Sequence, residues 1–155
     1  MKKNNKTKIK NIIFYISFLL ISSIVSLTPL HANEGAQEVV KERMDKFKIS
    51  KKMMQTIHKS IQSEDFETIE KSATTLYDWS KEMIKYFPEG SDIAPSEASA
   101  DIWLDPEGFK EAVNNFELAS LKLINNSKEK DFDNTVDSFR SLAGTCKGCH
   151  QKFRN

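Results

Sequence analysis

The chain has 155 residues, with 23 Lys and Arg, 22 Asp and Glu, and two cysteines. That length suits one domain and is short for two. Residues 1–32 hold Lys2, Lys3, Lys6, Lys8 and Lys10 and no acidic residue, so the remainder carries a net charge of −4, which argues against nucleic acid as a partner.

An apolar run of 16 residues, Ile12 to Leu27, follows the basic start, and Thr28, Pro29, Leu30, His31 and Ala32 close the segment. A basic start, an apolar middle and a small closing residue describe a secretory signal peptide over residues 1–32, with cleavage after Ala32. The alternative is a retained anchor, but the run falls short of the roughly 20 residues that span a bilayer as a helix. The expected product is an exported, periplasmic domain of residues 33–155 with no membrane attachment after cleavage.

Val40, Phe47, Met54 and Ile61 recur seven apart, with Met44 and Ile57 on neighbouring turns, which predicts a long amphipathic helix from about Gln37 to Gln62. Asp65 is a candidate N-cap for a second helix. Its stripe is Phe66, Ile69, Ala73, Leu76, Ser80, Met83 and Phe87, and Pro88 and Gly90 end it. Residues 88–105 read as a long connection, with Trp103 packing its end onto the domain. A third helix opens with Asp105 as N-cap and Pro106 at its first position. Phe109, Val113, Phe116, Ser120 and Leu123 carry its stripe, and Asn125, Asn126 and Ser127 close it. The fourth begins near Asp131, with Phe132, Val136, Phe139, Ala143, Cys146, His150 and Phe153 on one face. Four amphipathic helices and no convincing strand predict an all-α domain, with each short-linked pair antiparallel.

Cys146-Lys147-Gly148-Cys149-His150 has the spacing of a c-type haem attachment site. Thiols three residues apart share one side of a helical turn, where each can form a thioether to one vinyl group of a haem, and the next residue offers its imidazole to the iron. A redox dithiol would place its pair at a helix N-terminus, where a thiolate is stabilised. A zinc site needs four ligands, and a plain disulfide leaves His150 without a role.

The end of the chain, Cys146 through Phe153 and Arg154, resembles the cytochrome c′ and cytochrome c556 family. Val39-Val40-Lys41-Glu42-Arg43, Phe87-Pro88-Glu89-Gly90-Ser91, and Ile102-Trp103 before Phe109-Lys110 extend the likeness over roughly residues 38–155. The resemblance implies an antiparallel four-helix bundle that holds one covalent haem c near one end. It also implies a residue four places after Arg43 on the open side of the iron. That residue is Phe47, which has no lone pair, so the resemblance points to a five-coordinate iron. Met44, three residues away, is the competing sixth ligand and would give a His/Met site with a raised reduction potential. Ordinary core packing is the other reading of Met44, and Phe47 is also a stripe residue. Arg43 is read as bonding a haem propionate or as a snorkelling surface side chain, and Arg154 as touching the proximal pocket or as solvated.

The functions this implies are electron transfer with redox partner proteins and binding of small gases, NO or CO, at an open apolar face. A gas-detoxifying role is a variant of the second. An enzyme is not expected, since Phe47 stands where an acid–base group would be needed. The resemblance also allows a homodimer.

Overall fold

A computed structural model describes residues 29–155. The elements are α1 (Pro29–Gln62), α2 (Phe66–Glu82), a 3₁₀ turn (Met83–Tyr86), α3 (Asp101–Leu104), α4 (Pro106–Lys128) and α5 (Phe132–Phe153). The compact unit Ala36–Asn155 is an antiparallel four-helix bundle of α1 from Ala36 onward, α2, α4 and α5. Among the described residues the only extended pairing is one isolated bridge, Ala98 with Arg154. The expected signal segment lies outside the described residues, except its last four, which open α1. No helix among the described residues is long and apolar enough to cross a membrane.

Three aspartates start three helices in the same way. The side chain of Asp65 accepts from the backbone N–H of Thr68, Asp105 from that of Gly108 and Asp131 from that of Asn134, each at 3.0 Å. Each bond satisfies an amide that the first turn leaves without an intrahelical partner. At Gly108 an added Cβ would crowd the Asp105 carboxylate, so the capping side chain would have to shift to accept one.

α4 packs along both α2 and α5. Ile57, Ile69, Leu76, Leu123 and Leu142 are wholly buried between the helices. The stripes expected on the first three helices face this core, with Phe47, Met54 and Ile61 half-buried at its margin. α2 ends earlier than its stripe suggests, because Pro88 disfavours helical dihedrals at Phe87, which takes φ −125° and ψ 54°. Trp103 packs down as expected, its indole N–H donating to the Phe87 carbonyl at 3.1 Å.

α5 departs from the sequence reading. Its buried face carries Thr135, Ser138, Leu142 and Phe153, whereas Phe132 is exposed and Val136, Phe139 and Ala143 are half-buried. Thr135 and Ser138, both small hydroxyl residues, are the buried positions of its first half. Ser138 accepts from the Asn126 side-chain amide at 2.6 Å. On α4, Ser120 and Ser127 return their hydroxyls to the carbonyls of Phe116 and Leu123, so their burial leaves no hydroxyl unpaired. Phe139 is pushed to the rim, where it stacks on exposed His58 with ring centroids 5.9 Å apart.

Two measurements check this packing. Leu142→Ala should cost about 2–5 kcal/mol in urea unfolding, and Phe132→Ala, at 43% exposure, about 0.5 kcal/mol or less. The caps make stability depend on acidity. Hydrogen bonds from Thr68, Lys152 and Asn134 are the leading reasons that the carboxyls of Asp65, Asp105 and Asp131 titrate below the usual carboxylate range. Their contribution is therefore present above about pH 3.9 and lost as pH falls through the lowered folded values. A variant with all three changed to Asn, which caps equally well, should show a flatter acid limb in the urea midpoint between about pH 2.5 and 5.

Candidate haem site

At one end of the bundle, α1, α2, α4, α5 and the 95–98 segment enclose a cavity of about 700 Å³. That lies within the range of about 300–1,000 Å³ usual for cofactor sites. Leu76, Met83, Phe109, Val113 and Phe116 give it apolar walls, and Cys146, Cys149 and His150 line it from α5. The i, i+3, i+4 spacing on one helix brings these three side chains to one side of one opening.

The two cysteines are not joined to each other. Burial pushes both thiols up, Cys149 to about 11, with the neighbouring Cys146 adding to the rise. A redox dithiol needs the reverse shift, so the electrostatics run against that alternative. Burial, and then the nearby Arg154 charge, lower the His150 pKa, which keeps the imidazole neutral with a lone pair free for a metal. Among the described residues, no group of three or more His, Cys, Asp or Glu side chains is arranged to hold a metal ion, so the zinc alternative lacks its donor set. Two neutral thiols and a neutral imidazole on the wall of a large apolar cavity fit a covalent haem.

Across the cavity, α1 contributes Arg43, Met44 and Phe47. The Phe47 ring lies 6.4 Å from the His150 ring, centroid to centroid. Trp79 packs edge-on against Phe47 at 5.6 Å and Phe87 at 6.4 Å, which fixes its direction. Met44 lines the same cavity. All six side chains singled out in the sequence therefore border one space.

Arg43 has a further role beside those expected of it. It is only 3% exposed, so it does not snorkel. Nη1 donates to the Tyr86 carbonyl at 2.8 Å and to Ser91 Oγ at 2.9 Å. Nη2 donates to the Ser91 carbonyl at 2.6 Å and to Ser96 Oγ at 2.7 Å. The guanidinium also lies 4.3 Å from the centre of the Phe87 ring. Four of its five N–H groups are thus spent on the 86–96 loop, leaving one for a propionate. Sequence reasoning missed these partners because they are carbonyls and hydroxyls in a non-periodic loop. The one available signal was a charged residue inside an apolar stripe. Arg154 is half-exposed and pairs with Glu97, which was not singled out either.

Arg43→Lys keeps the charge and loses the fork. It should lower stability by about 1–3 kcal/mol and speed hydrogen exchange of the amides in residues 86–96, read by mass spectrometry.

A family model described as cytochrome c′ matches residues 38–154. The cytochrome c′ of Rhodospirillum rubrum is 41% identical over 69 residues, which cover 44% of this chain and 47% of that protein. The match therefore spans about half the length of that curated relative. The crystal structure of cytochrome c′ from Rubrivivax gelatinosus superposes with a TM-score of 0.68 at 26% identity, covering 76% of this chain and 94% of that one. A nitric oxide complex of a cytochrome c′ variant from Alcaligenes xylosoxidans superposes with a TM-score of 0.70 at 21% identity, over 77% of this chain and 95% of that one, and so bears on the fold alone. With the bundle, the cavity and the Cys146–His150 motif already in place, the match over residues 38–154 shows that this chain belongs to the cytochrome c′ family, whose members carry one covalent haem c.

Proposed function

We propose that this chain is a periplasmic cytochrome that holds its haem through Cys146 and Cys149. Each thiol S–H adds across one vinyl group, the sulfur bonding to carbon and the hydrogen going to the other vinyl carbon, so no oxidant is consumed. His150 supplies the axial nitrogen. When bound, the haem supplies a one-electron ferric–ferrous couple and an open coordination position.

The observation that carries this reading is the Phe47 ring facing His150 across the cavity at 6.4 Å. A phenyl ring donates no electron pair, so on this reading the position that Phe47 covers stays uncoordinated and apolar. That arrangement favours NO or CO and offers no hydrogen bond to steady bound oxygen. The relative from Alcaligenes xylosoxidans was solved as a nitric oxide complex. The protein chain's part is to exclude water with Phe47, Phe87 and Phe109 and to keep His150 neutral. We read the activity as electron exchange with redox partner proteins together with NO or CO binding. Removal of residues 1–32 on export and pairing with a second copy belong to the same reading.

The ferrous optical spectrum tests it. The expected result is a five-coordinate, high-spin spectrum that changes when CO or NO is added. A low-spin spectrum that becomes high-spin in Met44→Ala would instead assign Met44 as a sixth ligand. Protein matured in cells competent for c-type cytochromes yet colourless, with the mass of bare polypeptide, would sink the haem reading altogether.

A further inference from the structure

The chain leaves the 86–96 loop and crosses directly to the end of α5. Ala98 bridges to Arg154, the Ser99 N–H donates to the Phe153 carbonyl at 3.0 Å, and the Asn155 N–H donates to the Glu97 carbonyl at 2.9 Å. This backbone ladder brings the Glu97 and Arg154 side chains together. Arg154 Nε donates to Glu97 Oε2 at 2.7 Å, and Nη2 donates to the same oxygen. Both side chains line the haem cavity with His150, which lies one helical turn before Arg154.

The pair is half-exposed, so it adds little to stability. Its place beside the imidazole matters more. Without Glu97, a lone guanidinium would remain on the wall of the cavity that His150 lines. With Glu97, the wall carries a neutral pair. A net charge near the couple alters the energies of its oxidised and reduced forms unequally, because the two differ by one charge.

We propose that Glu97 is a positioning residue for electron transfer: it fixes the Arg154 guanidinium beside His150 and cancels its charge there, setting the reduction potential. This rests on the haem reading above. The sign of each effect follows from Coulomb's law. Removing the Glu97 charge leaves a cation that favours the reduced form. Removing the Arg154 charge leaves an anion that favours the oxidised form.

The test is redox titration of the full haem-loaded chain, in the native sequence and in Glu97→Gln, Arg154→Gln, the double variant and Glu97→Asp. The expected result is a rise for Glu97→Gln, a fall for Arg154→Gln, and a value near the native one for the double variant. Glu97→Asp, which keeps the charge, should stay closer to native than Glu97→Gln. Raising the salt concentration should shrink both single-variant shifts. Loosened packing around the cavity would move both single variants in the same direction, and that outcome, or no shift in either, overturns the proposal. Failure of the native chain to acquire haem is a separate result, visible before any titration, and refutes the site reading instead.

Discussion

One buried guanidinium organises the haem end of this bundle. Arg43 projects from α1 into a region with almost no water and is stable there because two carbonyls and two hydroxyls accept its protons. An unpaired buried charge would be expensive, so the side chain and the 86–96 loop stabilise each other. The loop in turn seats Phe87, whose carbonyl receives the Trp103 indole and whose ring abuts Phe47 and Phe109. Farther along, the same segment delivers Glu97 to Arg154 at the other side of the cavity. A single strap therefore runs from the α1 wall to the α5 wall, clamped by an arginine at each end.

The rest of the bundle explains why the cavity survives. Leucine and isoleucine fill the middle, while the buried Ser120, Ser127 and Ser138 on α4 and α5 have hydrogen-bonded hydroxyls. At the haem end, large aromatic side chains replace small ones, and they meet edge to face around an open space rather than interdigitating across it. Aromatic walls suit a flat, conjugated cofactor, whose faces they can cover with few rotatable bonds. The walls differ in chemistry, with thiols and imidazole from α5 and, from α1, the Phe47 ring and two thioethers flanked by Arg43, Lys48 and Lys51.

That asymmetry connects fold to function. The ligand-bearing side is rigid because two cysteines and a histidine follow one another within five residues of a helix. The opposite side is defined by what Phe47 lacks. Electron exchange and gas binding place different demands on such a site: the first needs a tuned couple, the second an open face. Under the proposed reading, the charged pair near His150 bears on the first and the phenyl ring on the second.

The amino-acid sequence by itself determined the all-α class, the three aspartate caps, the core stripes of the first three helices, and the haem motif with its histidine. Each of these is local: a cap acts over three residues, a stripe repeats with the helical turn, and the attachment motif spans five positions. Only the tertiary structure decided that Arg43 clamps a loop, that the Phe47 ring comes to 6.4 Å from the His150 ring, and that Glu97 meets Arg154. It also decided which face of α5 is buried, since Thr135 and Ser138 are core while Phe132 is exposed. These features join residues about 40 to 100 positions apart, through neutral loop atoms or small hydroxyls that leave no periodic trace, and they exist only once the helices have packed.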